Sequence, residues 1–140
     1  MKLKTLFLTI LLSCLAVISC AESPSTDLDK FVGDWSGEYV HKNKNRKDSW
    51  IQTRKADGTF KLVYKSYEYS VLKNTQINEG TWWLEGEYFY EKQNGKHDKA
   101  DKYSYHLIGK TKIKFTEITT NEKTSELIEG YSFTDTRVEK

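Results

Sequence analysis

Trp50-Ile51-Gln52-Thr53-Arg54-Lys55-Ala56-Asp57-Gly58-Thr59-Phe60-Lys61-Leu62-Val63-Tyr64-Lys65 is the stretch whose reading decides the fold. Asp57-Gly58 sits between two alternating runs, and an Asp-Gly pair supplies the turn conformation that a tight β-hairpin needs. After the turn, Phe60, Leu62 and Tyr64 fall on one parity and Lys61 and Lys65 on the other. That period of two gives a strand one dry face and one wet face. Outward from this hairpin, aromatic and β-branched residues recur in short runs, broken by Asn78-Glu79-Gly80, Gly86, Asn94-Gly95 and Gly109-Lys110. Turn signals at short intervals between alternating runs mark an all-β sandwich or barrel.

The pattern predicts eight strands, over 32–40, 48–56, 59–69, 79–85, 87–92, 102–109, 111–119 and 125–137. Long loops are expected at 41–47, 70–78, 93–101 and 120–124, and a single helical turn fits between Asp27 and Val32. Taking the aromatic parity as inward places Trp35 and Tyr39, Phe60, Leu62 and Tyr64, Trp82 and Leu84, Tyr88 and Tyr90 inside. On the later strands it places Tyr103, Tyr105 and Leu107, Ile113 and Phe115, and Leu127, Tyr131 and Phe133 inside. Sequential hairpins with one dry face each close most simply as an eight-stranded antiparallel up-and-down barrel, which removes the edge strands.

The start of the chain has a different character. Lys2 and Lys4 precede an apolar run from Leu6 to Ile18, too short for a comfortable membrane span, and the run ends in Ser19-Cys20. This is the layout of an export signal, read here as residues 1–19 and left out of the fold. Val17-Ile18-Ser19-Cys20 resembles the lipobox of bacterial lipoproteins. The resemblance implies cleavage before Cys20, diacylglycerol on its sulfur and acyl chains such as palmitate, which anchor firmly when two or more are present. It places the protein at the bacterial cell envelope with the lipid membrane as partner. Ala21 after the cysteine, rather than aspartate, favours the outer membrane in a Gram-negative host. Residues 20–30, with the only proline, read as the lipidated cysteine and a flexible tether, and 31–138 as one domain.

Composition narrows the function. Of the 22 basic side chains, Lys2 and Lys4 leave with the signal, which balances the rest against the 20 acidic ones. No global positive field remains, so nucleic acid is not an expected partner. Cys14 also leaves and Cys20 is consumed by lipid, so the exported domain relies on packing rather than disulfides. There is no Gly-x-Ser-x-Gly elbow, no free mature cysteine and no phosphate-cradling glycine loop, so the chain reads as a non-enzyme without a cofactor.

Phe31-Val32-Gly33-Asp34-Trp35, with Thr136-Arg137-Val138 on the last strand, resembles the lipocalin and wider calycin barrels. Asp57-Gly58-Thr59-Phe60 and Gly80-Thr81-Trp82-Trp83 look like the small lipocalin-like lipoproteins of bacteria. The resemblance implies that Gly33, Trp35 and Arg137 close one end of the barrel, the arginine packing over the indole. It also implies a small apolar or amphiphilic ligand, for which Tyr39, Trp50, Tyr64, Trp82, Tyr90 and Tyr105 are the candidate contacts.

Two readings stay open at this level. The inward aromatics line a pocket, or they fill an eight-stranded barrel, whose interior is about wide enough for side chains or one small ligand. In the second case the protein is a non-catalytic envelope interaction protein. The basic run His41 to Lys47 reads as a solvated hairpin tip, and His97, Asp98 and Asp101 fit no metal-ligand scheme. Glu129 falls on the inward parity with Arg54 as a conceivable partner.

Overall fold

The computed structural model describes residues 27–42, 45–96 and 98–139. The expected signal, Cys20 and the tether as far as residue 26 lie outside the described residues, as does His97. A short helix α1 (Leu28–Phe31) leads into β1 (Gly33–His41), β2 (Arg46–Arg54), β3 (Thr59–Glu68), β4 (Val71–Glu85), β5 (Tyr88–Gln93), β6 (Asp101–Ile108), β7 (Lys112–Thr120) and β8 (Leu127–Arg137). Each strand pairs antiparallel with the next and β8 returns to β1, so the eight strands form a closed up-and-down barrel. The fold class expected from the alternation is the one observed. Among the described residues, no helix is long and apolar enough to cross a membrane.

One end of the barrel is packed solid. Phe31, Trp35, Phe60, Trp82, Phe89, Ile113 and Phe115 are buried there. Phe31 of α1 enters the barrel end, with its ring stacked on Phe89 at 5.7 Å and edge-on to Tyr105 at 4.9 Å. Trp35 Nε1 donates to the Phe31 carbonyl at 2.8 Å, which ties the helix to β1. The Arg137 guanidinium lies 4.3 Å from the Trp35 ring and donates to the carbonyls of Val32 and Lys30 at 2.8 and 2.7 Å. Gly33 is needed beneath it: its φ is +129°, and a Cβ there would sit 2.6 Å from Arg137 Nη1.

Three sequence expectations need correction. The long loop at 70–78 is strand: β4 begins at Val71, pairs with β3 and runs for 15 residues. The turn before it is only Tyr69-Ser70, with φ of +49° and +64°. Two positive φ values are what a tight hairpin requires, yet neither residue is the glycine or asparagine that announces one. Lys73, Asn74, Thr75, Gln76 and Asn78 hid the strand because β4 faces solvent on one side and a polar interior on the other, so apolar residues do not alternate along it.

Tyr88 and Tyr90 are not inside. β4 and β5 are joined by the two-residue turn Gly86-Glu87, which sets Leu84 opposite Phe89 and Trp82 opposite Glu91. Directly opposed residues share a face, so Phe89 and Glu91 point inward and their neighbours outward. Tyr90 stacks on Trp83 at 5.4 Å on the outer wall, and Lys102 lies 3.8 Å from the Tyr88 ring centre. With three aromatics in a row, only the hairpin register could choose.

Leu127 is 54% exposed rather than core. The β7–β8 register shifts between Thr116 and Ile118, and the extra residue breaks the parity carried up from Phe133. Glu129 lies beyond the same bulge and is exposed.

Candidate functional site

The up-and-down order puts the turns after β1, β3, β5 and β7 at the end opposite Trp35, and that end is open. A cavity of about 970 Å³ enters there and reaches down to Arg54 and Phe89. Its volume lies within the range typical of small-molecule sites.

β2 contributes the polar floor. Asp48, Trp50, Gln52 and Arg54 share the inward parity, and Asp48, Gln52 and Arg54 are buried. Trp50 can fold across the inner wall because its partner in register is Gly37, where a Cβ would collide with the indole. Trp50 Nε1 donates to Asp135 Oδ1 at 2.8 Å, and Arg54 Nη2 donates to Asp135 Oδ2 at 2.5 Å. Arg54 and Asp135 are 2% and 0% exposed. Mutual attraction in such a pair is largely offset by the cost of taking both charges out of water. The guanidinium also lies 5.0 and 5.1 Å from the rings of Phe89 and Phe115, while its Nε and Nη1 have no hydrogen-bond partner. Arg54 thus pairs with Asp135, not with Glu129.

Opposite this floor stand two carboxylates. Glu91 and Asp101 face each other in register across β5 and β6, an arrangement of like charges that opposes pairing. Gln52 Nε2 donates to Glu91 Oε2 at 2.7 Å. Glu91 faces the cavity, and desolvation raises its pKa. Gln52 and Arg54 oppose the rise, and Asp135 and Asp101 add to it. Burial likewise pushes the Tyr103 and Tyr131 hydroxyls up.

At the mouth, His41 Nε2 lies 2.6 Å from Asp48 Oδ2, and Arg46 Nε donates to Asp48 Oδ1 at 3.2 Å. Burial pushes the Asp48 carboxyl up, but hydrogen bonds from Tyr64, His41 and Arg46 outweigh it and hold the group below its ordinary value. The same surroundings raise Tyr64 to about 12, through burial first and the hydrogen bond to Asp48 second. Tyr39 and Tyr131 meet edge to face at 6.3 Å and are 38% and 48% exposed. The basic run His41 to Lys47 is therefore not wholly solvated, since two of its side chains hold Asp48.

Of the six candidate contacts, Tyr39, Trp50 and Tyr64 line the cavity. Trp82 is buried at the closed end, its Nε1 donating to the Lys55 and Thr59 carbonyls. Tyr105 packs on Phe31 at that same end, and Tyr90 lies on the outer wall. Gln52, Glu91, Asp135 and the amides Gln76 and Asn78 escaped the sequence reading, which sought aromatics and named Arg54 only as a partner for Glu129. Their signal was present on β2, where Gln52 and Arg54 share Trp50's parity. Among the described residues, no group of three or more histidine, cysteine, aspartate or glutamate side chains could hold a metal ion.

No protein-family model, curated protein or solved structure matches this chain. The functional reading therefore stands on the cavity's own chemistry.

Proposed function

We propose that this protein is a lipid-anchored lipoprotein of the bacterial envelope whose barrel binds or carries a small amphiphilic molecule, acting by binding rather than catalysis. The observation that supports it is the open cavity of about 970 Å³ at the end opposite Trp35. A filled barrel serving only as an interaction surface needs no such space. The anchoring half of the proposal rests on Val17-Ile18-Ser19-Cys20 and on the tether after it. A lipid on Cys20 holds the barrel close to the membrane surface, where amphiphiles are concentrated.

Native mass spectrometry of the protein purified from its own host tests the binding half, with a copurified small molecule as the expected result. Tryptophan emission is a second readout, because Trp50 lines the cavity whereas Trp35 and Trp82 are sealed at the other end. A ligand held at 100 times its Kd should stabilise the protein by about 2.7 kcal/mol. An empty protein that neither quenches nor shifts in melting temperature with any small molecule favours the interaction-only reading. For the anchor, Cys20→Ser should strip the protein from the membrane fraction; unchanged partitioning into detergent would refute lipidation at Cys20.

A further inference from the structure

We infer that the cavity recognises an uncharged polyhydroxylated ring, a saccharide, with Arg54 and the Glu91–Asp101 pair as its two polar poles. The inference rests on the ligand-binding reading and narrows it. Its first support is what the wall lacks: Leu62 is the only aliphatic side chain among the described residues lining the cavity. A fatty acyl or isoprenoid chain would find few methylene partners there. It would also cover the buried Gln52 amide and the Asp48, Glu91 and Asp101 carboxylates without offering any of them a hydrogen bond.

The second support is a pair of complementary polar groups. Arg54, 2% exposed, lines the cavity floor with Nε and Nη1 unpartnered, and so calls for an acceptor. Glu91 and Asp101, opposed in register on the cavity wall, call for donors. A hydroxyl group is donor and acceptor at once, and neighbouring hydroxyls on one ring can serve both poles. Gln76 and Asn78 of β4 add planar amides along the same wall.

Charge decides against the other ligand classes. Arg54 is already paired with Asp135 and Arg46 with Asp48, so an anion placed beside Glu91 and Asp101 is repelled. An amine would satisfy the carboxylates but offer no acceptor to Arg54 Nε and Nη1. Tyr39 and Tyr131 at the mouth offer half-open rings, suited to the apolar face of a pyranose.

The test uses the full-length protein in an amine-oxide detergent, since glycoside detergents would compete. Probes are maltotetraose, the tetramer of N-acetylglucosamine, glucuronate, spermidine and palmitate, each followed by Trp50 emission and melting temperature. A response to at least one neutral saccharide, with none to glucuronate, is the expected result. Asn78→Ala, Gln76→Ala and Asp101→Asn should each weaken saccharide binding fivefold or more with an unchanged melting temperature. A sugar-headed lipid in phosphatidylcholine vesicles separates the two sources: binding to it alone assigns a lipid headgroup, and binding of the free oligosaccharide assigns a soluble glycan. A response to palmitate or spermidine with none to saccharides overturns this inference and leaves the binding proposal standing. Saccharide binding that ignores all three substitutions removes it from this cavity. Silence from every probe, with no copurified molecule, overturns both.

Discussion

The Trp35 end and the His41 end of the barrel are built by the same eight strands, yet one is an aromatic plug and the other an open polar well. At the Trp35 end, α1 drives Phe31 into the bore and Arg137 roofs the indole, so each apolar ring is covered by another ring or a cationic stem. At the His41 end nothing comparable enters among the described residues, and the inward positions carry Asp48, Gln52, Glu91, Gln76 and Asn78. Stability is thus concentrated at one pole, and the other is released for recognition. The Arg54–Asp135 pair marks the boundary between them.

The comparison fails most visibly if the plug is dispensable. Trp35→Ala truncates a buried indole and should cost about 3–5 kcal/mol in chemical denaturation; a loss below about 1 kcal/mol would mean the core lies elsewhere. Arg54→Met leaves Asp135 charged and buried, so a similar loss of about 3–5 kcal/mol is expected. Much of it should return in the double variant Arg54→Met/Asp135→Asn. No recovery would mean that the two side chains do not act as a pair.

Arg137→Ala should cost about 1–2 kcal/mol through lost packing and cation–π contact, and a double-mutant cycle with Trp35→Ala should show coupling. Additive effects would detach the roof from the plug.

Two carboxylates of the open well should also answer pH in opposite senses. Glu91 holds its proton more tightly in the folded barrel than in the unfolded chain, where 4.5 applies. Its contribution is therefore most favourable below that value, and stability is lost as pH rises through the elevated folded value. Glu91→Gln should stabilise the protein at neutral pH and leave it unchanged in acid. Asp48 is the reverse case: held below 3.8, it contributes above that pH and loses its contribution as the solution becomes more acid. Asp48→Asn should thus flatten the acid limb of the stability curve and Glu91→Gln the limb above it; the same limb moving in both would erase the distinction. The smallest effect belongs to the well: Gln76→Ala should shift stability by no more than about 0.5 kcal/mol.

Legibility in the sequence followed the same polarity. Gly33, Trp35 and Arg137 could be picked out because a glycine before a tryptophan and a basic residue on the last strand form a local pattern, and the structure places them together. Three of the candidate contacts line the well, while Trp82, Tyr90 and Tyr105 do not, because being aromatic says nothing about height in the barrel or which wall is faced. The polar wall was missed for a related reason. A buried amide looks like a solvent-exposed one until the strand opposite it is known.

By itself, the sequence determined the all-β class, the hairpin at Asp57-Gly58 and the order of the eight strands, and it carries the lipobox-like motif at Cys20 on which the anchoring proposal rests. These are local signals, carried by period-two alternation, turn residues and a short apolar run. The tertiary structure alone decided that Tyr69-Ser70 turns the chain, that Phe89 and Glu91 rather than Tyr88 and Tyr90 face inward, and that Arg54 meets Asp135. Each of those depends on register between strands and on closure of the barrel, which bring together residues as far apart as positions 54 and 135 and which no window along the chain contains.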